Sequence, residues 1–344
     1  MIRVLIVDDS AFVRKVLTEG LSRYADIQVV GSAMDPYIAR RKIAELRPDV
    51  ITLDIEMPRM DGLSFLEKLM RHYPVPVVIV SSLTPENSET ALRALELGAV
   101  DVIRKPGSAY SAPDVSRELV HAIRAAAAAK LRPGSPAAPP VLHTTHKVQT
   151  HKVVAIGAST GGPRAIETIL RALPADSPGI VIVQHMPQEF TAAFADRLNQ
   201  LCSIEVREAR HGDPVGPGVA LIAPGDRHMI LRCDGAGYSV QLKGGPPVHY
   251  QRPSVDVLFL SVARSVGPNA VGVLLTGMGS DGARGLSEMK AKGAHTIVQD
   301  EASSAVFGMP REAIRAGAAM EVLPLDEIAG AILRAVGAAA DAPR

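Results

Sequence analysis

The sequence predicts a two-domain α/β protein: an N-terminal five-stranded parallel (βα)5 domain, then a larger, doubly wound, mostly parallel α/β domain. Three observations carry this reading. Short runs rich in β-branched residues alternate with segments of helical periodicity, the pattern of βα units and parallel sheets. The length of 344 residues exceeds the roughly 100–200 of one domain. Between the two series of βα units, residues 131–150 are dense in Pro, small and polar residues and cannot present a periodic apolar face, so they read as a flexible linker. Domains are therefore expected over 1–125 and 153–344, with a helix end and linker over 126–152.

In the first domain the apolar runs fall at residues 4–7, 27–30, 50–53, 77–80 and 100–103, one for each of five strands. In the second they fall at 153–156, 180–183, 204–206, 219–222, 271–275 and 296–298, with a hairpin expected near 229–242. Hydrophobic residues make up 47% of the chain and charged residues 21%, enough apolar material for two cores and incompatible with a disordered or collagenous chain. Residues 1–130 carry 17 basic and 17 acidic side chains, and residues 153–344 carry 17 and 19. Neither balance supplies the phosphate-neutralising surface behind nucleic-acid affinity, so no nucleic-acid partner is expected. No apolar stretch approaches the roughly 18 residues of a membrane span, and the N-terminus runs into acids before any small-residue cleavage site. A cytoplasmic protein with no direct membrane insertion, acting as a monomer, is the expectation. Cys202 and Cys233 form neither a disulfide framework nor a CxxC pair, and His143, His146 and His151 lack a carboxylate or thiolate nearby to complete a metal site.

In an open parallel sheet, ligands bind beyond the carboxyl ends of the strands. The residues there in the first domain are Asp8 and Asp9 after the first run, Asp54 after the third, Ser81 and Ser82 after the fourth, and Lys105-Pro106 after the fifth. Singly, each acid reads as a helix N-cap or loop residue. Together they form an acidic cluster whose repulsion a hard divalent cation would relieve, and Mg²⁺ held by one or two carboxylates keeps positions open for phosphate oxygens. A phosphoryl group on Asp54 would then meet Lys105 and Ser81. Val7-Asp-Asp-Ser10, Leu53-Asp-Ile-Glu-Met-Pro-Arg-Met-Asp-Gly62, Ser81-Ser82 and Lys105-Pro106 resemble the phosphoacceptor receiver domain of bacterial response regulators over about residues 1–125. The resemblance implies that Asp54 is phosphorylated, that Asp8, Asp9, Asp54 and the carbonyl of Glu56 hold Mg²⁺, and that the Lys105–Pro106 bond is cis. Many receivers carry a rotamer-switching aromatic three residues before the lysine, whereas this chain has Val102, which argues against a rotating-ring relay.

In the second domain, Val153-Val-Ala-Ile-Gly-Ala-Ser-Thr-Gly-Gly-Pro-Arg164 reads as a strand, a glycine turn and a helix opened by Pro163. Gly157-Ala-Ser-Thr-Gly161 fits G-x-S-x-G, in which small neighbours let the backbone expose a serine oxygen at a helix N-terminus. A phosphate-cradling loop is the rival, although Ser159 occupies the place of the second glycine of G-x-G-x-x-G and a Walker lysine is missing. Val181-Ile-Val-Gln-His185 puts His185 past the next strand, and Val273-Leu-Leu-Thr-Gly-Met-Gly-Ser-Asp-Gly282 puts Asp281 in a third post-strand loop. If the strands are neighbours, Ser159, His185 and Asp281 meet as nucleophile, general base and imidazole-orienting carboxylate. The order Ser, His, Asp differs from that of α/β-hydrolases, so the elbow does not license that fold. His211, His228, His249 and His295 read as structural, with His228 able to border the site.

These passages, with Ile222-Ala-Pro-Gly-Asp-Arg-His-Met229, Arg252-Pro-Ser-Val-Asp-Val-Leu-Phe259 and Val306-Phe-Gly-Met-Pro-Arg-Glu-Ala313, resemble the catalytic domain of the bacterial chemotaxis protein-glutamate methylesterase family. A receiver, a linker and this domain in this order are that family's architecture. The resemblance implies hydrolysis of γ-glutamyl methyl esters on chemoreceptors with release of methanol, deamidation of receptor glutamines, and a chemotaxis histidine kinase as phosphodonor. No cofactor is expected for the esterase reaction. Backbone N–H groups of Thr160 and Met278 are the candidate oxyanion donors. The unphosphorylated receiver is expected to restrain the esterase, through the 22 residues 131–152, which span roughly 26 Å. Two readings from other classes stand beside this one: a regulator whose second half only binds a partner or DNA, and a nucleotide site at 157–162.

Overall fold

The computed structural model describes the chain apart from residues 58–59, 83–84, 106–111, 132–150, 236 and 338–344 and the side chains of 85–87 and 112–116. Most of the expected linker and the Lys105–Pro106 bond lie outside the described residues. The chain parts into two compact units, Met1–Ser135 and Pro136–Arg344.

In the first unit β1 (Ile2–Val7), α1 (Ala11–Leu21), β2 (Ile27–Ala33), α2 (Pro36–Leu46), β3 (Val50–Leu53), α3 (Gly62–His72), β4 (Val77–Ser81), α4 (Pro85–Glu96), β5 (Asp101–Arg104) and α5 (Ala112–Ala128) alternate. The sheet runs β2-β1-β3-β4-β5 with every pair parallel. Helices cover both faces, so successive residues of the central strands β3 and β4 are all buried. Val4, Ile6, Val50, Val78 and Val80 pack with Val13, Leu17, Leu119 and Ile123 of α1 and α5, while Leu5, Val7, Ile51 and Ile79 are buried on the opposite face. The N-caps of α1, α2 and α3 are Ser10, Asp35 and Asp61, whose side chains accept from Val13, Ile38 and Ser64 N–H. Asp8, Asp9 and Asp54 are therefore free of the capping role that a bland reading would give them.

In the second unit the elements are β6 (Val153–Ala158), α6 (Gly162–Ala172), β7 (Gly179–Gln184), α7 (Gln188–Leu201), β8 (Glu205–Glu208), β9 (Pro214–Val215), β10 (Val219–Ile222), β11 (His228–Asp234), β12 (Gly237–Lys243), α8 (Val255–Ser265), β13 (Ala270–Leu274), α9 (Ala283–Ala291), β14 (His295–Gln299), α10 (Met309–Arg315), β15 (Glu321–Leu323) and α11 (Leu325–Gly337). The main sheet is parallel throughout, in the order β15-β14-β13-β6-β7-β10-β8. One face packs Val153, Ala155, Val181, Val183 and Leu274 against Leu258, Phe259, Val262, Leu286 and Met289 of α8 and α9. The expected hairpin forms as β11 against β12, which with β9 makes a small antiparallel sheet. The sequence reading has neither β9 nor β15, of 2 and 3 residues, because strands so short show no alternation.

Candidate functional site

In the first unit the acidic residues and Lys105 meet at the point where strand order reverses between β1 and β3. Val7 and Leu53 are register partners, so Asp8 and Asp54 emerge side by side. Lys105 Nζ lies 2.6 Å from Asp54 Oδ2 and 3.3 Å from Asp8 Oδ2. Asp8 Oδ1 accepts from Ser10 N–H at 2.8 Å, and Asp54 Oδ1 accepts from Glu56 N–H at 3.1 Å. Oxygens of Asp8, Asp9 and Asp54 all lie within 4.8 Å of one another, an all-oxygen set suited to a hard cation. Burial pushes the Asp54 carboxyl up to about 6 despite Lys105 beside it, and burial raises Asp8 as well. Burial opposes the charge on Lys105, but its bonds to Asp54 and Asp8 outweigh that and raise it. Ser81 is buried, with its hydroxyl turned 3.4 Å from the Ser82 carbonyl, and Ser82 Oγ donates to Glu56 at 2.8 Å. Val102 is buried in β5.

In the second unit β13, β6 and β7 are adjacent and parallel, so their three following loops share one edge. Ala158 pairs with Gln184, which makes Ser159 and His185 the next pair across a ladder whose strands lie about 4.8 Å apart. The elbow depends on glycine twice. Gly161 sits at φ 77° and leads into α6, and a Cβ on Gly277 would lie 2.6 Å from that of Ser159. The buried Gln184 amide donates to the carbonyls of both Ser159 and His185 at 2.9 Å, tying the Ser159 loop to the His185 loop.

His185 Nε2 lies 2.8 Å from Asp281 Oδ2, and His185 Nδ1 is buried without a hydrogen-bond partner. With an ionised Asp281 as acceptor, the proton sits on Nε2 and Nδ1 keeps a lone pair for a serine proton. Asp281 also accepts from Val255 N–H at 2.8 Å, and from Asp256 N–H and Ser254 Oγ at 2.9 Å. Those donors form the first turn of α8, whose positive end favours a carboxylate. Burial alone would push the Asp281 carboxyl up, but the bonds from His185, Asp256 and Val255 outweigh it and hold it below the ordinary carboxylate value.

Ser254, Asp256 and Gln184 are the residues at this edge that carry no role in the sequence reading. Their signal lay in Pro-Ser-Val-Asp ahead of an apolar helix and in a polar residue closing the all-apolar β7. His228 does border the site: it is buried, accepts from Ser254 N–H through Nδ1 at 3.3 Å, and faces the Pro246 carbonyl through Nε2 at 3.0 Å. His249 pairs with Asp256 at 3.0 Å, His295 with Glu321, and His211 accepts from Leu242 N–H at 3.4 Å. His249, Asp256 and Asp281 lie at metal-ligand spacing, but both Asp281 oxygens and one of Asp256 already accept from backbone N–H groups. Of the oxyanion candidates, Thr160 is buried with its carbonyl bound to Thr276 Oγ1 at 2.9 Å. Met278 follows Gly277, whose carbonyl accepts from Gly308 and Met309 N–H at 3.0 and 2.8 Å.

Comparison with known proteins agrees over both units. Residues 154–332 match the CheB methylesterase family and residues 4–111 the response regulator receiver domain. The chain is 59% identical to a protein-glutamate methylesterase/protein-glutamine glutaminase of Syntrophus aciditrophicus, over 97% of this chain and 99% of that protein. It is 52% identical to one of Salmonella typhimurium, over 98% and 97%. The catalytic domain of Thermotoga maritima CheB methylesterase superposes with a TM-score of 0.52 at 38% identity, covering 53% of this chain and 97% of that domain. Family matches, relatives aligned from end to end and a parallel-sheet edge carrying Ser159, His185 and Asp281 agree: the chain belongs to the CheB methylesterase family, with a response regulator receiver domain ahead of its catalytic domain.

Proposed function

We propose that this chain is a protein-glutamate methylesterase and protein-glutamine glutaminase acting on chemoreceptors, with output regulated by phosphorylation of its receiver. The carrying observation is the buried His185–Asp281 pair, fastened to the first turn of α8 beside the Ser159 elbow. Ser159 Oγ attacks the γ-carbonyl carbon while His185 Nδ1 takes its proton. Backbone N–H groups of Thr160 and Met278 receive the oxyanion, and Asp281 stabilises the imidazolium. The tetrahedral species collapses as His185 returns the proton to the leaving methoxide, releasing methanol, or to the leaving amine of a glutamine, releasing ammonia. Water, deprotonated by His185, then hydrolyses the acyl-enzyme to free glutamate and Ser159.

Asp54 is the proposed phosphoacceptor, with a histidine kinase as donor. The clustered oxygens of Asp8, Asp9 and Asp54 fit Mg²⁺, which with the Glu56 carbonyl they would hold, and which when bound neutralises phosphoryl charge. Lys105 and Ser81 would contact the phosphoryl oxygens, a role that the 2.6 Å approach of Lys105 to Asp54 supports for the lysine. The test of the esterase is methanol release from methylated receptor membranes together with labelling by a fluorophosphonate. The unaltered protein is expected to do both and Ser159→Ala neither; release by Ser159→Ala at the unaltered rate would refute the mechanism.

A further inference from the structure

The two helices that meet behind Asp281 exchange carboxylates. Asp281, in the loop that opens α9, accepts from Val255 and Asp256 N–H at the start of α8. Asp256, in the first turn of α8, reciprocates: its Oδ1 accepts from Gly282 N–H at 3.0 Å and Gly285 N–H at 2.7 Å, at the start of α9. Each acid thereby neutralises the positive end of the other's helix. The helices are also close, since a Cβ on Gly285 would lie 2.6 Å from that of Phe259 and 3.2 Å from the Asp256 Cα. The remaining oxygen of Asp256 faces His249 Nε2 at 3.0 Å. His249 lies toward solvent, with 44% of its side chain exposed against 4% for Asp256, and is held at φ 51° in a tight turn closed by Val248 and Gln251.

We propose that Asp256 is a positioning residue of the esterase: by capping α9 it sets where the Asp281 carboxylate meets His185, and His249 closes the pair at the rim. A cap serving only α9 would not explain why the second oxygen is met by a histidine, or why Asp256 N–H binds Asp281 itself. Titratable groups facing Asp256 are Asp281 from the β13–α9 loop and His249 from the β12–α8 connection. Beyond Asp281 lies His185, and beyond Ser254 lies His228. Burial raises the Asp256 carboxyl, with Asp281 adding to it, so the backbone N–H groups and His249 stabilise a charge that its surroundings oppose.

The proposal rests on the esterase reading, and the experiment separates the two. In the full chain, kcat, KM and the pH profile on methylated receptor membranes are compared for the unaltered protein, Asp256→Asn and Asp256→Ala. Rates are normalised to the folded fraction read by circular dichroism. Asparagine keeps an oxygen for Gly282 and Gly285 and turns its NH₂ to His249, whose ring then accepts. Its kcat is expected close to that of the unaltered protein, with the acidic limb moved to lower pH because one buried negative charge near the imidazolium is gone. Alanine removes the cap, and kcat is expected to fall about 10²-fold with KM unchanged, the size of loss that an ångström-scale misplacement brings. An unaltered kcat and pH limb in folded Asp256→Ala would make the residue merely structural and overturn the proposal. Equal losses in both variants with no movement of the limb would overturn it too. If the unaltered protein releases no methanol, the esterase reading itself fails.

Discussion

Asp281 cannot be replaced by its own amide without conflict. Each of its oxygens accepts from at least one backbone N–H of α8, so the NH₂ of asparagine would face an N–H whichever way it turned. Asp281→Asn is therefore expected to lower turnover by about 10⁴-fold, the loss found when a triad imidazole is held in the wrong tautomer. It should also cost about 1–3 kcal/mol of stability for the unsatisfied donors. Steady-state methanol release and urea denaturation check the two figures. In the unaltered protein the lowered Asp281 contributes stability that is present above the ordinary carboxylate range and is lost as pH falls through its depressed value. Asp54 has the opposite sign. Its value is raised from 3.8 to about 6, so ionisation opposes folding of the receiver, with no penalty below the ordinary value and the full penalty above about 6. In chelator, Asp54→Asn should gain on the unaltered receiver by about 2 kcal/mol as pH rises from 4 to 7, by denaturation at both pH values. A difference that did not change with pH would show that Lys105 already offsets the burial.

At the scale of elements, α8 is both a core helix and a mount for the site. Leu258, Phe259 and Val262 anchor it in the core, and Ser254 serves its N-terminus twice, accepting from Val257 N–H at 3.4 Å and donating to Asp281 at 2.9 Å. Ser254→Ala should cost about 1 kcal/mol of stability, the usual effect of a lost N-cap, measured as a lower Tm. A larger fractional loss of kcat should accompany it, because one donor to Asp281 goes with the cap. The elements were legible where they were long. Alternating β-branched runs and helical periodicity mark the parallel strands and their crossovers, and Pro163 marks the start of α6. The pairing of Asp256 with Gly282 and Gly285 was not legible, because those partners stand 26 and 29 residues apart in the chain and nothing local links them.

Regulation belongs to the whole molecule. Each unit closes its own hydrophobic core, so a fragment beginning near Lys147 is expected to fold and to hydrolyse ester faster than the unphosphorylated full chain. A small phosphodonor should raise only the full chain, and Asp54→Asn should abolish that response. Chelator should block the response while leaving the fragment's hydrolysis unchanged, since the proposed Ser-His-Asp mechanism routes no step through a metal. Rates on the same methylated membranes decide this: an unphosphorylated full chain as fast as the fragment would replace restraint by recruitment or direct activation. Among the described residues no helix is long and apolar enough to cross a membrane.

By itself the sequence determined the two α/β series, the residues that follow each strand, and hence the candidates Asp8, Asp9, Asp54 and Lys105 in one unit and Ser159, His185 and Asp281 in the other. Strand identity and strand ends are local properties, written in runs of four to six residues. Only the tertiary structure decided that β13 lies beside β6, although Leu274 and its partner Gly157 are far apart in sequence. Only it decided that His185 meets Asp281 through Nε2 and leaves Nδ1 without a hydrogen-bond partner, and that the carboxylate rests on the first turn of α8. The physical reason is that strand order, ring orientation and reciprocal capping are set by packing between segments distant in the chain, where no local pattern records which groups will meet.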